Sequence, residues 1–260
     1  MRFARCIFTI AALAVAAGEA HAQSGSGAPL SSVSFDETRV QRAASSSRGR
    51  WAYMAGDTVG EGNSVIGAEL GWPDLTLAYV YGTGERTDVG VKAQLIYGTE
   101  GTTATQFGFA LKAPVRFNVI KKEKFSMLLH GDPGIKLYTG SKLLDGTKVR
   151  PSKLAFGFTL PVGLQAAYSP NRALSVGVGV DLDFSVFVAG YFTPAFVIAP
   201  MLGPEVEYRI DDEVAIGLNT RFGPMIGIGS DDFENFGGFG TAETTTQFAF
   251  RVQLVLAYKL

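Results

Sequence analysis

Ala173 to Val188 reads ALSVGVGVDLDFSVFV, and this stretch decides the fold. Leu174, Val176, Val178, Val180, Leu182, Phe184 and Val186 are large and apolar, whereas Ser175, Gly177, Gly179, Asp181, Asp183 and Ser185 are small or acidic. Side chains along a strand point alternately to opposite faces, so this pattern predicts one β-strand with an apolar and a polar face. Strands of soluble sandwiches run about five or six residues, whereas a tilted strand crossing a bilayer needs about nine to eleven. This stretch is long enough to cross and protrude.

The alternation recurs from Ser64 to the end of the chain. Phe107, Phe109, Leu111, Val115, Phe117 and Val119 oppose Gln106, Lys112, Arg116 and Asn118. Phe125, Met127, Leu129, Ile135 and Leu137 oppose Ser126, His130, Asp132 and Lys136, and Phe156 to Tyr168 repeats the pattern. Phe196 to Ile210, Val214 to Ile228 and Phe248 to Leu260 follow. Apolar-outward, polar-inward alternation over many hairpins is the signature of a transmembrane barrel. The expected fold is all-β, a transmembrane antiparallel up-and-down β-barrel of about ten strands, with eight or twelve also compatible.

Connection lengths alternate as well. Gly82 to Arg86, Lys121 to Lys124, Ser169 to Arg172 and Asp211 to Glu213 are short and polar. Asp57 to Asn63, Gly98 to Thr103, Thr139 to Leu154, Gly190 to Pro194 and Gly229 to Thr244 fall between them. Bacterial barrels have short periplasmic turns and longer outer loops, which places both chain ends in the periplasm. Trp51 to Asp57 is read as a short first strand.

Tyr79, Tyr81, Phe117, Phe125, Tyr168, Tyr208 and Tyr258 cluster near the short turns or the C-terminus, where an interfacial girdle belongs. Phe107, Phe156, Phe192, Phe196 and Phe248 are expected to form the outer girdle. Pro73, Pro114, Pro133, Pro161, Pro200, Pro204 and Pro224 fall inside the proposed strands. Proline cannot donate to a ladder, so a belt of bulges or bends is expected there. Around Pro73 the apolar parity switches, as one bulge residue would require.

The N-terminus carries Arg2 and Arg5, an apolar run from Cys6 to Ala17, and Ala20-His21-Ala22 as a small-x-small cleavage site. Residues 1–22 are therefore expected to be a signal peptide, 23–50 a flexible periplasmic arm and 51–260 the barrel. Removing Arg2, Arg5 and Glu19 from 23 basic and 24 acidic residues leaves a net charge of about −2, with no basic excess for nucleic acid. After the leader no uncharged apolar run of about eighteen residues remains to form a spanning helix. The expected location is the outer membrane. The expected partners are outer-membrane lipid and, through outer loops or periplasmic turns, other envelope proteins.

By parity the lumen holds a charge network of Asp88, Lys92, Lys112, Arg116, His130, Asp132, Lys136, Asp181, Asp183, Glu205, Glu207, Arg209, Arg221 and Arg251. Gln94, Asn219, Gln247 and Lys259 share that face. A barrel this small has just room for side chains, which favours a paired, hydrogen-bonded plug. A narrow water-filled pore lined by the same residues is the alternative.

His130-Gly131-Asp132 with Asp181-Leu182-Asp183 is similar to the Asp-His and Asp-Asp pairs of the omptin proteases, which also use ten-stranded barrels. Those pairs lie near the outer rim on facing walls. Here both are mid-strand and one strand apart, so salt pairing is the expected role, with no catalytic residue and no cofactor. Cys6 and His21 leave with the leader, so a zinc site of nitrogen and sulfur ligands has too few donors. Asp231-Asp232-Phe233-Glu234-Asn235 lacks EF-hand spacing and is read as a solvated acidic loop. Phe233, Phe236 and Phe239 stand in that same loop. Lys142, Lys148, Arg150 and Lys153 make another loop basic.

From about Trp51 onward the chain resembles outer-membrane β-barrel proteins of Gram-negative bacteria, in particular the porin-like barrels of myxobacterial envelopes. The leader, the alternation, Gly71-Trp72-Pro73-Asp74, Tyr79-Val80-Tyr81-Gly82 and the C-terminal strand carry the resemblance. Such barrels commonly end in phenylalanine; Leu260 stands here, with Tyr258 two residues before it. The resemblance implies a narrow passive channel or a plugged structural barrel. Its alternative is an anchor for an envelope-spanning machine of gliding or adhesion, with an outer-membrane hydrolase a distant third.

Overall fold

The computed structural model describes residues 51–98, 107–138, 144–145, 148–149, 155–189, 193–228 and 245–260. The expected leader and arm, the acidic loop with its phenylalanines, Phe192 and most of the basic loop lie outside them. The fold is a closed ten-strand antiparallel β-barrel. Seven staves are single strands: β1 (Ser64–Trp72), β2 (Asp74–Gly84), β3 (Thr87–Ile96), β12 (Leu174–Ala189), β13 (Thr193–Arg209), β14 (Val214–Ile228) and β15 (Thr245–Lys259). Three are broken in two: β4 (Gly108–Lys112) with β5 (Val115–Lys121), β6 (Phe125–Gly131) with β7 (Gly134–Tyr138), and β10 (Ala155–Thr159) with β11 (Val162–Tyr168). A small hairpin, β8 (Leu144–Asp145) with β9 (Lys148–Val149), stands apart from the wall. Pairing of β1 with β15, from Val65↔Lys259 to Trp72↔Val252, closes the ring and leaves no free edge.

β12 carries the alternation as expected. Val180 is 55% exposed on the outer face, whereas Asp181 is 5% exposed on the inner one. Tyr79, Tyr81, Phe117, Phe125, Tyr168, Tyr208 and Tyr258 all stand exposed toward the turn end of the barrel. Phe107, Phe156, Phe196 and Phe248 stand exposed toward the loop end. Among the described residues no helix is long and apolar enough to cross a membrane.

Pro114, Pro133 and Pro161 mark the three breaks, and the neighbouring staves remain tied across them. Gly90 N–H donates to the Pro114 carbonyl at 2.9 Å, Ala113 N–H to Pro133 at 2.8 Å and Asp132 N–H to Pro161 at 2.8 Å. Pro200, Pro204 and Pro224 instead sit inside continuous strands.

Two expectations need correction. Pro73 is not a bulge within one long strand: Leu70 pairs with Leu75, so Gly71-Trp72-Pro73-Asp74 is the reverse turn of a tight β1–β2 hairpin. Trp72 stacks on Phe250 and meets Tyr97 edge-on, which anchors that turn to the wall. Trp51 to Asp57 is not a strand, and Asp57 to Asn63 is not an outer loop. Gly62 N–H donates to the Gly82 carbonyl and Gly82 N–H to the Asn63 carbonyl, both at 2.9 Å, which puts this segment at the turn end. One stave too many before Ser64 and one too few after it offset each other in the expected count.

Candidate functional site

Residues 51–59 are buried within the turn end of the lumen. Trp51, Tyr53, Met54 and Val59 pack on Val65, Ala78, Val80, Ala215, Val255 and Ala257, the inward residues of β1, β2, β14 and β15. The wall makes room by omission. A Cβ on Gly67 would collide with the Tyr53 ring, and one on Gly217 with the end of Met54. Gly56 turns the segment with φ +65°, a conformation open to glycine, and a Cβ there would lie 2.9 Å from the Ala167 methyl.

A segment without a ladder must find partners for its backbone when buried. The Glu207 carboxylate accepts from the N–H groups of Tyr53 (3.3 Å), Met54 (2.7 Å) and Ala55 (3.2 Å). Asp88 accepts from Val59 N–H at 3.0 Å. Arg116 donates to the carbonyls of Ala52 and Asp57, and Asn118 donates to the Asp57 carboxylate at 3.0 Å. Lys121 pairs with that carboxylate at 3.1 Å. Tyr53 donates its hydroxyl to Glu69 at 2.8 Å, and the Trp51 indole N–H reaches the Asp212 carbonyl at 2.9 Å. Charges expected to neutralise one another across the lumen thus also hold a length of backbone.

Above this segment the inward charges do pair with one another. Arg221, 1% exposed, binds Asp181 through Nε at 2.8 Å and Glu205 through Nη2 at 2.6 Å. Its Nη1 donates to the carbonyls of Gly203 and Thr220. His130 Nε2 lies 3.0 Å from Asp181 Oδ1, Lys92 pairs with Asp132 at 2.9 Å, and Arg251 with Asp183 at 2.6 Å. Arg116 lies 3.4 Å from Asp88. Lys112 is buried on β4 opposite Lys92, and Lys136 faces Ala110 in the β4–β7 register. Arg209 lies at the turn rim, where it donates to the Arg172 carbonyl.

A cavity of about 60 Å³ remains between the segment and the charged wall, lined in part by Tyr53, Glu69, Lys92, His130 and Asp132. It has room for a few waters. Among the described residues no group of three or more potential ligands could hold a metal ion. Glu69, Asp57 and Asp74 also belong to the lumen, beyond the residues expected there. The β1–β2 reversal hides Glu69 and Asp74 from the alternation, and Asp57 lies in no strand.

Toward the loop end the lining changes. Phe187, Ala199, Met201, Met225 and Ala249 form a buried apolar cluster, with Tyr138 and Val197 packed against it. The Tyr138 and Phe187 rings lie 5.6 Å apart.

No protein-family model matches the chain, and no curated protein matches it.

Proposed function

We propose that this protein is an integral outer-membrane barrel closed by its own N-terminal segment, a plugged structural barrel rather than an open porin-like channel. The observation that carries this reading is the seating of residues 51–59 inside the lumen, three of their N–H groups on Glu207. A bilayer setting is supported by a continuous outward apolar face, by aromatic residues toward both ends, and by a ring without edges that satisfies its backbone internally. The leader read from the first 22 residues supplies the route out of the cell. A filled lumen offers no conduit, which favours the anchoring role over passive diffusion, with the outer loops and turns as contact surfaces for envelope proteins. Asp181 is engaged by both Arg221 and His130, Asp132 by Lys92 and Asp183 by Arg251, which favours salt pairing over the hydrolase reading.

Heat-modifiable migration on a gel tests the barrel in detergent. Planar bilayers then test the plug: the full chain is expected to stay silent. A variant lacking residues 23–60, and independently Glu207→Ala, is expected to give discrete, salt-dependent current steps. Equal conductance from the full chain and both variants would overturn the plug.

A further inference from the structure

The turn end of the barrel is not charged alike around its circumference. Arg86, Lys122, Lys124 and Arg172 stand exposed on the turns that follow β2, β5 and β11, whereas Asp211, Asp212 and Glu213 stand exposed on the turn that follows β13. The basic turns are tied to one another. Asn118 N–H donates to the Arg86 carbonyl at 2.7 Å, and Ser169 N–H to the Lys124 carbonyl at 2.8 Å, so they form one continuous arc of the rim. On the acidic turn Asp211 accepts from the N–H groups of Glu213 and Val214, and Glu213 accepts from the Tyr258 hydroxyl.

Within the basic arc the strand register settles which way each lysine faces. Lys121 pairs with Ser126 on the inner face, where the Asp57 carboxylate takes its ammonium at 3.1 Å. One position on, Lys122 N–H donates to the Phe125 carbonyl at 2.8 Å, so these two residues stand opposite each other on the outer face. Directly opposed side chains have Cβ atoms about 5 Å apart. Phe125 is paired in turn with Tyr168 on β11, and the two rings are 38% and 49% exposed. Lys122, Phe125 and Tyr168 thus make one outward row across neighbouring staves, with Lys124 on the turn beside it. Among the described residues the side chains of Lys122, Lys124 and Tyr168 make no hydrogen bond or ion pair. The hydroxyls of Tyr79 and Tyr258, elsewhere on the same girdle, are engaged by Ser64 and Glu213. Interfacial aromatic rings sit at headgroup height, and each basic side chain there attracts an anionic lipid surface.

We propose that the outward row of Lys122, Phe125 and Tyr168, with Lys124 beside it, holds the headgroup of a net-anionic phospholipid in the leaflet at the turn end. The two ammonium groups meet its negative charge, the Tyr168 hydroxyl donates to a phosphate oxygen, and the acyl chains lie along Leu129 and Leu164, a pair exposed above the row. A zwitterionic headgroup brings its own cation to the lysines and gains less. This rests on the bilayer reading above but not on the plug. The test carries the full chain in micelles with equal amounts of phosphatidylglycerol and phosphatidylcholine into native mass spectrometry, where bound lipids are counted. Preferential retention of one phosphatidylglycerol is expected. Lys122→Gln with Lys124→Gln is expected to weaken that retention by about fivefold for each charge removed, with phosphatidylcholine retention and heat-modifiable migration unchanged. Tyr168→Phe, which keeps the ring, is expected to weaken it less, and Glu213→Gln on the acidic turn not at all. Equal retention of the two lipids, or a preference that survives the double substitution, would overturn the site while leaving the barrel standing. Polyglutamate is expected to leave the lipid bound; its displacement of the lipid would assign the row to an acidic protein partner and overturn the site. A chain with neither heat-modifiable migration nor any bound lipid would overturn the bilayer reading as well.

Discussion

The two ends of the lumen are filled by different means. At the turn end the filling is a piece of main chain, and the wall answers with carboxylates, guanidinium and amide groups that substitute for a missing strand partner. At the loop end the filling is side chains of the wall itself, Phe187, Met201 and Met225, in an apolar cluster whose ladder neighbours include Asp181 and Gln247. Between them lies the Arg221 cluster. A barrel can therefore be closed either by a separate segment that the wall both hydrogen-bonds and packs against, or by the packing of the wall's own side chains.

Arg221→Met removes the layer that separates the two ends and leaves Asp181 and Glu205 buried beside an apolar side chain. Loss of one partner from a buried ion pair costs about 3–5 kcal/mol, and the denaturant midpoint followed by tryptophan fluorescence is expected to fall accordingly. Met201→Ala acts on the loop end alone. A large-to-small change in a packed site costs about 2–4 kcal/mol, and the bilayer is expected to stay silent because the plug is untouched. Glu207→Gln reverses that combination. It keeps one acceptor, so its stability loss is expected to be about 1–2 kcal/mol, yet current steps should become detectable. If Met201→Ala conducts and Glu207→Gln does not, the assignment of closure to the turn end is wrong. Ser185→Ala, which deletes a 3.1 Å bond to Thr159 near the loop end, is expected to cost about 1 kcal/mol or less and to change neither readout.

The outer face was legible in the sequence because outward-facing positions repeat every second residue with one chemical demand. Val176 to Leu182 and Leu254 to Tyr258 show it without interruption. The inward charges were legible for the complementary reason, and His130, Asp181 and Arg221 do meet, although from β6, β12 and β14 no spacing could have revealed it. The N-terminal segment was not legible. Its polar partners are its own amides and carbonyls, which every residue owns, and its apolar contacts are alanines and valines on the wall that look like filler. The tight β1–β2 turn was misread because Trp72-Pro73 sits at a parity change, and a bulge and a reversal both change parity. The loop-end cluster does leave a trace: Phe187, Met201 and Met225 stand at inward positions, where large apolar residues depart from the alternation that defines the fold.

Trp51 bonds to the turn after β13, and Met54 to β13 itself, across 161 and 153 positions of chain. The segment that is made before any stave therefore finds its seat only when nearly the last staves are in place. An incomplete wall, lacking β13 or β14, offers no Glu207 carboxylate and no Ala215 floor for it. Seating thus reports completion of the ring: a chain stalled short of closure leaves Trp51 to Val59 exposed to proteases at the turn end, and a finished one withdraws it.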